Sequence, residues 1–211
     1  MIPVQVKAVR YIPNASTALL TPLGIPLHCS SLALITTDSD DATYIALDEA
    51  TKAAEVEVGY ARSFYAGAAN ASTPNAGEII GILAATTPGA VRSGMVAALG
   101  ALERIGFEET EAVPYLAYTV SSCGSFLAKE ADVRPGTALA YLIAPPLESM
   151  VGLDAALKAS DVILKKLYAP PSETNFGGGL LAGTQSACIA ACEAFGQAVR
   201  AIAQCPVERS I

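Results

Sequence analysis

"ALDEATKAAEVEV", residues 46–58, and "GLDAALKASDVIL", residues 152–164, are two copies of one phrase. Leu47, Asp48, Ala50, Lys52, Ala53 and Val56 return in the same order as Leu153, Asp154, Ala156, Lys158, Ala159 and Val162, each 106 positions later. In a chain of 211 residues, a repeat at half the length divides the sequence into two similar domains. We place the boundary so that the domains span 1–110 and 111–211. Each is then long enough, at roughly 100 residues, to close its own core.

Around the first copy the pattern alternates between strand and helix. "SLALITT" (31–37) reads as a buried strand. "DSDDATYIALDEATKAAE" (38–55) opens with an acidic N-cap and first turn, and Ile45, Leu47, Ala50, Ala53 and Ala54 then recur at helical spacing. "VEVGYARSFY" alternates as a half-buried strand, a small-residue loop "AGAANASTPNAG" follows, and "EIIGILAA" is the next strand. Thr87 and Pro88 take the N-cap and N1 positions of a helix running to about Arg104, where the missing proline N–H costs nothing. Residues 1–30, punctuated by Pro3, Pro13, Pro22 and Pro26, read as a strand near 3–11 with an irregular lead-in.

The second half replays this order. "YLAYTVSS" is a strand before a short helix near 123–130, "TALAYLIA" matches "SLALITT", and "LESMVGLDAALKAS" matches the repeated helix. "DVILKKLYA" is the next strand, "PPSETNFGGG" reads as the loop, and "LLAGT" leads into a last helix at 185–204. Strands alternating with helices in a doubled unit define a tandem α/β protein.

Composition narrows the function classes. Hydrophobic residues make up 52% of the chain and charged residues only 16%, with no tryptophan. Charged residues average about a quarter of a globular chain, so the apolar excess needs burial beyond one fold. No run of about 18 apolar residues escapes interruption by a polar residue or proline, and even "ACIAACEAFGQAVRAIA" carries Glu193, Gln197 and Arg200. Subunit interfaces remain, and the chain is expected to be an oligomer. A net charge of −7 argues against nucleic acid as a partner. "MIPVQVKAVRYIP" has neither the charged n-region nor the apolar h-region of a secretory signal. The five cysteines (29, 123, 188, 192 and 205) form no framework spacing, as expected for free thiols in a reducing cytoplasm.

Function is expected where the halves differ. "TTDSDDA" aligns with "IAPPLE": both leave a strand and open a helix, but the first carries Asp38, Asp40 and Asp41 and the second only Glu148. One acid per helix suffices for capping, and the loop lacks the glycine and bidentate glutamate of a calcium-binding EF-hand. Catalysis has little to work with. His28 is the only histidine, and no nucleophile–base pairing surrounds it. The glycines at 177–179 lack the Lys-Ser/Thr of a phosphate loop. Cys188 and Cys192, four residues apart, have no third ligand nearby and read as small core residues, so neither a metal nor any cofactor is expected.

From Ser31 to Pro206 the sequence resembles the tandem-domain shell proteins of ethanolamine-utilisation microcompartments. The resemblance rests on "DSDDATYIALDEATKAAEVEV", "ARSFYAGAAN", "AGEIIGIL", "ALAYLIAPPLE", "LDAALKASDV", "APPSETNF" and "GTQSACIAACEAF". It implies two circularly permuted shell domains per chain, each a small, mostly antiparallel sheet flanked by helices. It also implies a homotrimer that mimics a hexagon and packs edge to edge with other shell proteins in the cytoplasm, without enzymatic activity. Lys52-Ala53-Ala54 and Lys158-Ala159-Ser160 match the family's tile-edge motif, which would explain why the phrase is repeated.

The resemblance further implies narrow acidic pores lined by Asp40, Asp41, Glu78 and Glu148. Asp40, Asp41, Glu78, Phe107, Thr174, Asn175 and Phe176 would contact a small amino alcohol such as ethanolamine, whose ammonium suits carboxylates and whose hydroxyl suits neutral hydrogen-bonding groups. The loop at Phe64, Tyr65, Ala66, Gly67, Ala68 and Ala69 would border a larger, gated central pore. Cys123, in "SSCGSF", stands where the family more often has an arginine-containing turn. Compartments for propanediol, choline or other amino alcohols, and a free-standing small-molecule-binding regulator, remain as alternatives.

Overall fold

The computed structural model describes residues 1–65, 75–110 and 112–207. The chain enters through two short strands, β1 (Ile2–Pro3) and β2 (Val6–Ile12), and a helix α1 (Thr17–Leu23). The first repeat continues with β3 (Ser31–Thr37), α2 (Asp40–Ala53), β4 (Glu57–Ser63), β5 (Ile79–Ala85) and α3 (Pro88–Leu102). After β6 (Gly106–Glu109) the second repeat runs β7 (Pro114–Val120), α4 (Ser125–Glu130), β8 (Ala138–Ala144), α5 (Pro146–Ala159), β9 (Val162–Tyr168), β10 (Gly177–Gly183) and α6 (Gln185–Gln204).

These elements form two compact units. The N-terminal unit comprises Pro3–Ile105 together with Gly124–Leu127, and the C-terminal unit comprises Met1–Ile2, Gly106–Cys123 and Ala128–Ile211. The N-terminal sheet has the order β2-β3-β5-β4, and the C-terminal sheet contains the matching order β7-β8-β10-β9, extended beyond β7 by β6 and β1. Sequence neighbours and crossovers alike pair antiparallel within both four-strand sets. Leu32, Ile35, Ile45, Leu47, Leu83 and Met95 close the N-terminal core, and Tyr115, Leu142, Leu153 and Phe195 belong to the C-terminal one. Burying side chains of this kind stabilises a fold by about 1.5–3 kcal/mol each.

The repeat extends to backbone detail. α2 and α5 end on Ala54 (φ −149°, ψ 161°) and Ser160 (φ −151°, ψ 158°), so both helices stop by swinging into extended backbone. The Val56 N–H then bonds the Ala54 carbonyl at 2.8 Å, and the Val162 N–H bonds that of Ser160 at 3.0 Å. Gly59 in β4 and Lys165 in β9, again 106 apart, are each passed over in the pairing with the neighbouring strand. A bulge of this kind twists an edge strand and blunts it against further pairing. Upstream the offset changes: β3 and β8 start 107 apart, because Asp38-Ser39 precede α2 where Pro145 alone precedes α5. The acid-rich turn of the first half therefore contains one inserted residue.

Three local expectations need correction. The lead-in read as irregular holds α1, whose first turn is capped by the Ser16 hydroxyl accepting from the Ala18 N–H. Gly24, at φ +69°, ends it by donating to the Leu20 and Thr21 carbonyls, a conformation glycine adopts without steric cost. Pro22 inside the last turn disguised this helix. The glycines read as loop, 177–179, lie in β10, where a Cβ on Gly178 (φ +155°) would overlap the Leu142 carbonyl oxygen. Glycine is there for close strand approach, not for a turn. Third, the N-cap of α2 is Ser39 and the acids fall in its first turn. β6, four residues long, is too short to show a period in the sequence. Thr87 caps α3 as expected, accepting from the Ala90 N–H at 3.2 Å.

Candidate functional site

The acid-rich turn between β3 and α2 is built by local hydrogen bonding. The Thr37 hydroxyl meets that of Thr43 at 2.7 Å, and the Ser39 N–H donates to Thr37 Oγ1, tying strand to helix. Asp38 Oδ1 accepts from the Gln5 N–H at 2.8 Å, and its Oδ2 lies 3.7 Å from Lys7 Nζ. Asp40 and Asp41 follow in the first turn of α2, both buried at 7% exposure, with Asp40 Oδ1 accepting the Asp41 N–H. Carboxylates at a helix N-terminus sit in the favourable end of its dipole, which is what tolerates two of them in one buried turn.

Glu78 joins them from the residue before β5, the strand paired with β3. Its N–H donates to the Thr37 carbonyl at 2.7 Å, and its carbonyl accepts from the Phe64 N–H at 2.9 Å. The approach depends on Gly77, because a Cβ there would overlap the Thr37 carbonyl oxygen. Burial raises the Glu78 carboxyl above the ordinary glutamate range, and the neighbouring charges of Asp40 and Asp38 raise it further. Three of the acids therefore act on one another as well as on whatever approaches them.

Tyr44 was not singled out in the sequence, although it stands three and four residues beyond the two buried aspartates. Its hydroxyl hydrogen-bonds Ser63 Oγ at 2.7 Å. Burial raises its phenol, the Ser63 bond opposes this, and Asp40 and Asp41 add to the rise. The buried hydroxyl oxygens of Thr36 and Ser39 have no hydrogen-bond partner among the described residues. The N-terminal unit thus gathers carboxylates with neutral hydroxyls, a combination suited to a small cation that also carries a hydroxyl.

The remaining candidates lie in the C-terminal unit. Glu148 occupies the first turn of α5, and a Cβ on Gly177 would come within 2.8 Å of the Oγ of the adjoining Ser149, so this turn abuts the end of the 172–176 loop. That loop closes on itself: the Ser172 N–H bonds the Phe176 carbonyl at 2.7 Å and the Asn175 N–H bonds the Ser172 carbonyl at 3.0 Å. Thr174 is buried beside Ser172, and Asn175 takes a left-handed φ of +67°, which asparagine tolerates better than most residues. Phe176 meets Phe107 edge to face, with ring centroids 5.7 Å apart. Phe107, expected with the first half, therefore packs with the C-terminal unit.

Lys52 and Lys158 close the last turns of α2 and α5. Lys52 pairs with Glu49 at 2.5 Å and Lys158 with Asp154 at 2.6 Å. Phe64 and Tyr65 follow β4 with exposed rings, and Ala66, Gly67, Ala68 and Ala69 lie outside the described residues. Cys188 and Cys192 face the C-terminal core, and Thr119 donates to Cys192 Sγ at 3.3 Å. Cys123 is buried at the turn before α4, its thiol donating to the Arg134 carbonyl at 3.6 Å. Among the described residues no helix is long and apolar enough to cross a membrane.

The comparisons agree with this architecture. Residues 31–114 match the model of the BMC domain. The chain is 55% identical over 207 residues to the bacterial microcompartment shell protein EutL of Clostridium perfringens, covering 96% of this chain and 95% of that protein. It is 47% identical over 210 residues to EutL of Salmonella typhimurium, with 98% and 96% covered. The crystal structure of EutL from Clostridium perfringens superposes with a TM-score of 0.94 at 54% identity, over 99% of this chain and 96% of that one.

Two sheet-and-helix domains in tandem, built on the BMC fold, are the architecture of a bacterial microcompartment shell protein, a structural class and not an enzymatic one. Within that class, the chain belongs to the EutL family, whose place is the shell of a compartment in the bacterial cytoplasm.

Proposed function

We propose that the chain forms a homotrimeric tile of hexagonal outline, packs against other shell proteins, and passes a small amino alcohol such as ethanolamine through acidic pores. The observation that carries the pore reading is the convergence of Asp38, Asp40, Asp41 and Glu78 beside the Tyr44 and Ser63 hydroxyls. One carboxylate 4 Å from an ammonium contributes about 4 kcal/mol at an effective dielectric near 20, before desolvation. Two or three such acids hold the ligand weakly, at about 1 mM or about −4 kcal/mol, as transit through a pore requires. The same reading gives Glu148 a place on the pore lining and gives Phe107, Thr174, Asn175 and Phe176 ligand contacts. It gives Phe64 and Tyr65 the border of a central pore.

Calorimetry with ethanolamine tests the pore. The wild type should bind near the millimolar range and Asp41→Asn/Glu78→Gln should not, with no loss of melting temperature. Equal affinity in both would reduce the acids to helix electrostatics. Lys52→Asp/Lys158→Asp tests the tile: the variant should remain a trimer by light scattering yet form no sheets or hexagonal arrays under the electron microscope. Arrays that persist would remove these lysines from the edge.

A further inference from the structure

β2 meets the acid-rich turn through an irregularity in its pairing. Val6 pairs with Thr37 and Ala8 with Thr36, so Lys7 is passed over in the ladder with β3. A bulge of this kind leaves one residue outside the pairing and re-aims its side chain. Lys7 Nζ lies 3.7 Å from Asp38 Oδ2 and donates to Gln5 Oε1 at 2.9 Å. The backbone fixes the same corner. The Gln5 N–H donates to Asp38 Oδ1 at 2.8 Å, and the Asp38 N–H donates to the Gln5 carbonyl at 3.2 Å. The Lys7 and Asp38 side chains are 25% and 33% exposed, so the pair stands at the edge of the turn, partly screened by water.

The second half has neither this lysine nor this aspartate. β7 pairs with β8 from Leu116 to Val120 without a shift. β2 and β7 start 108 residues apart, and the pair Ala8 and Thr36 recurs as Leu116 and Ile143, so Tyr115 stands where Lys7 does. Tyr115 is 1% exposed and donates its hydroxyl to Glu108. Pro145 alone stands where the first half has Asp38 and Ser39. A contact that only held the shared fold would be expected in both halves. This one accompanies the buried acids.

Its charge reaches them. Burial raises the Glu78 carboxyl, and Asp40 and then Asp38 raise it further, so whatever offsets Asp38 is felt at Glu78. We infer that Lys7 is the resident counter-ion of this acidic site: tethered by Gln5, it offsets part of the Asp38 charge and so weakens the pull on an incoming ammonium. A tethered ammonium presents the ligand's own cationic group without being able to leave. An ion pair this exposed tunes an affinity by several-fold and does not switch it on or off. The inference rests on the pore reading above and specifies what keeps binding there weak.

The test titrates ethanolamine into the full-length wild type, Lys7→Met and Lys7→Arg by calorimetry at low salt, where partly exposed charges are least screened. Lys7→Met should bind about three- to fivefold tighter than the wild type. Lys7→Arg keeps the charge and should bind as the wild type does. By carbon-detected NMR the Glu78 carboxyl should titrate at higher pH in Lys7→Met and stay in place in Lys7→Arg. A wild type that binds, with a Lys7→Met form that binds equally or more weakly, overturns the counter-ion and leaves the pore standing. If no form binds, the pore reading falls and Glu78 decides alone: a rise in Lys7→Met supports the counter-ion, and an unmoved carboxyl overturns it.

Discussion

Asp48 and Asp154 hold the same place in the two copies of one phrase and do opposite work. Asp48 is closed to solvent and binds the backbone of Gly124 and Leu127, while Asp154 stands exposed and pairs with Lys158 four residues on. Burial raises the Asp48 carboxyl, and its two backbone bonds pull in the other direction, followed by Lys52. A carboxylate so buried is tolerated because both donors are charge-assisted partners at close range.

Asp48→Asn should therefore destabilise the protein by about 1.5–3 kcal/mol, since the amide replaces a charged acceptor and presents an N–H to another N–H. Asp154→Asn should cost less than about 0.5 kcal/mol, as for other exposed helix pairs. Denaturant unfolding would measure both. Hydrogen exchange at the Gly124 and Leu127 amides should accelerate in the first variant alone.

Glu78 sets a pH dependence. Its folded-state carboxyl lies above its unfolded value through burial and the charges of Asp40 and Asp38. Its contribution to stability is thus fully present below the unfolded glutamate range and is lost as pH rises through the higher folded value. Glu78→Gln should flatten this fall. At neutral pH the variant should melt at or above the wild-type temperature, and at pH 3 the gain should vanish. A variant that melts lower at pH 7 would contradict the repulsion argument.

Thiol reactivity should separate core from surface. Burial pushes the Cys192 thiol up to about 11 despite the Thr119 hydroxyl bond, and burial likewise raises Cys188 and Cys29. At pH 8 about one Cys192 in a thousand would be thiolate. A chromogenic disulfide reagent should titrate one thiol per chain in the native protein, Cys205, and all five after denaturation. Rapid native labelling of Cys188 or Cys192 would refute their place in the core.

Two glycines should respond in opposite directions to alanine. Gly178→Ala forces a Cβ onto the Leu142 carbonyl at a φ of +155° and should cost about 3 kcal/mol or more. Gly100→Ala, late in α3 with open space around its Cβ, should stabilise by up to about 1 kcal/mol. Thermal unfolding of the two variants decides.

Most of the elements were legible because their signals are local. Helix α3 announces itself through Thr87 and Pro88, and α2 and α5 through apolar spacing that only their own residues need satisfy. Helix α1 stayed hidden where Pro22 breaks the period, and β10 where three glycines imitate a loop. The candidate site was half legible. Asp38, Asp40 and Asp41 stand out against Pro145 and Glu148 in the other half, and a charge excess shows without coordinates. Tyr44 and Ser63 do not, because their pairing joins residues 19 apart in sequence.

The sequence by itself determined the doubling, the order of most strands and helices, the family and the asymmetry of the acids, since each is written in neighbouring residues or in a fixed offset. Only the tertiary structure decided that Phe107 packs on Phe176, that Gly77 lets Glu78 reach the end of β3, and that residues 124–127 lie on α2 while the matching positions of α5 are exposed. The physical reason is that identical local propensities produce identical elements in both halves. What covers each element depends on contacts between residues far apart in sequence, where a buried Asp48 and an exposed Asp154 begin from the same phrase.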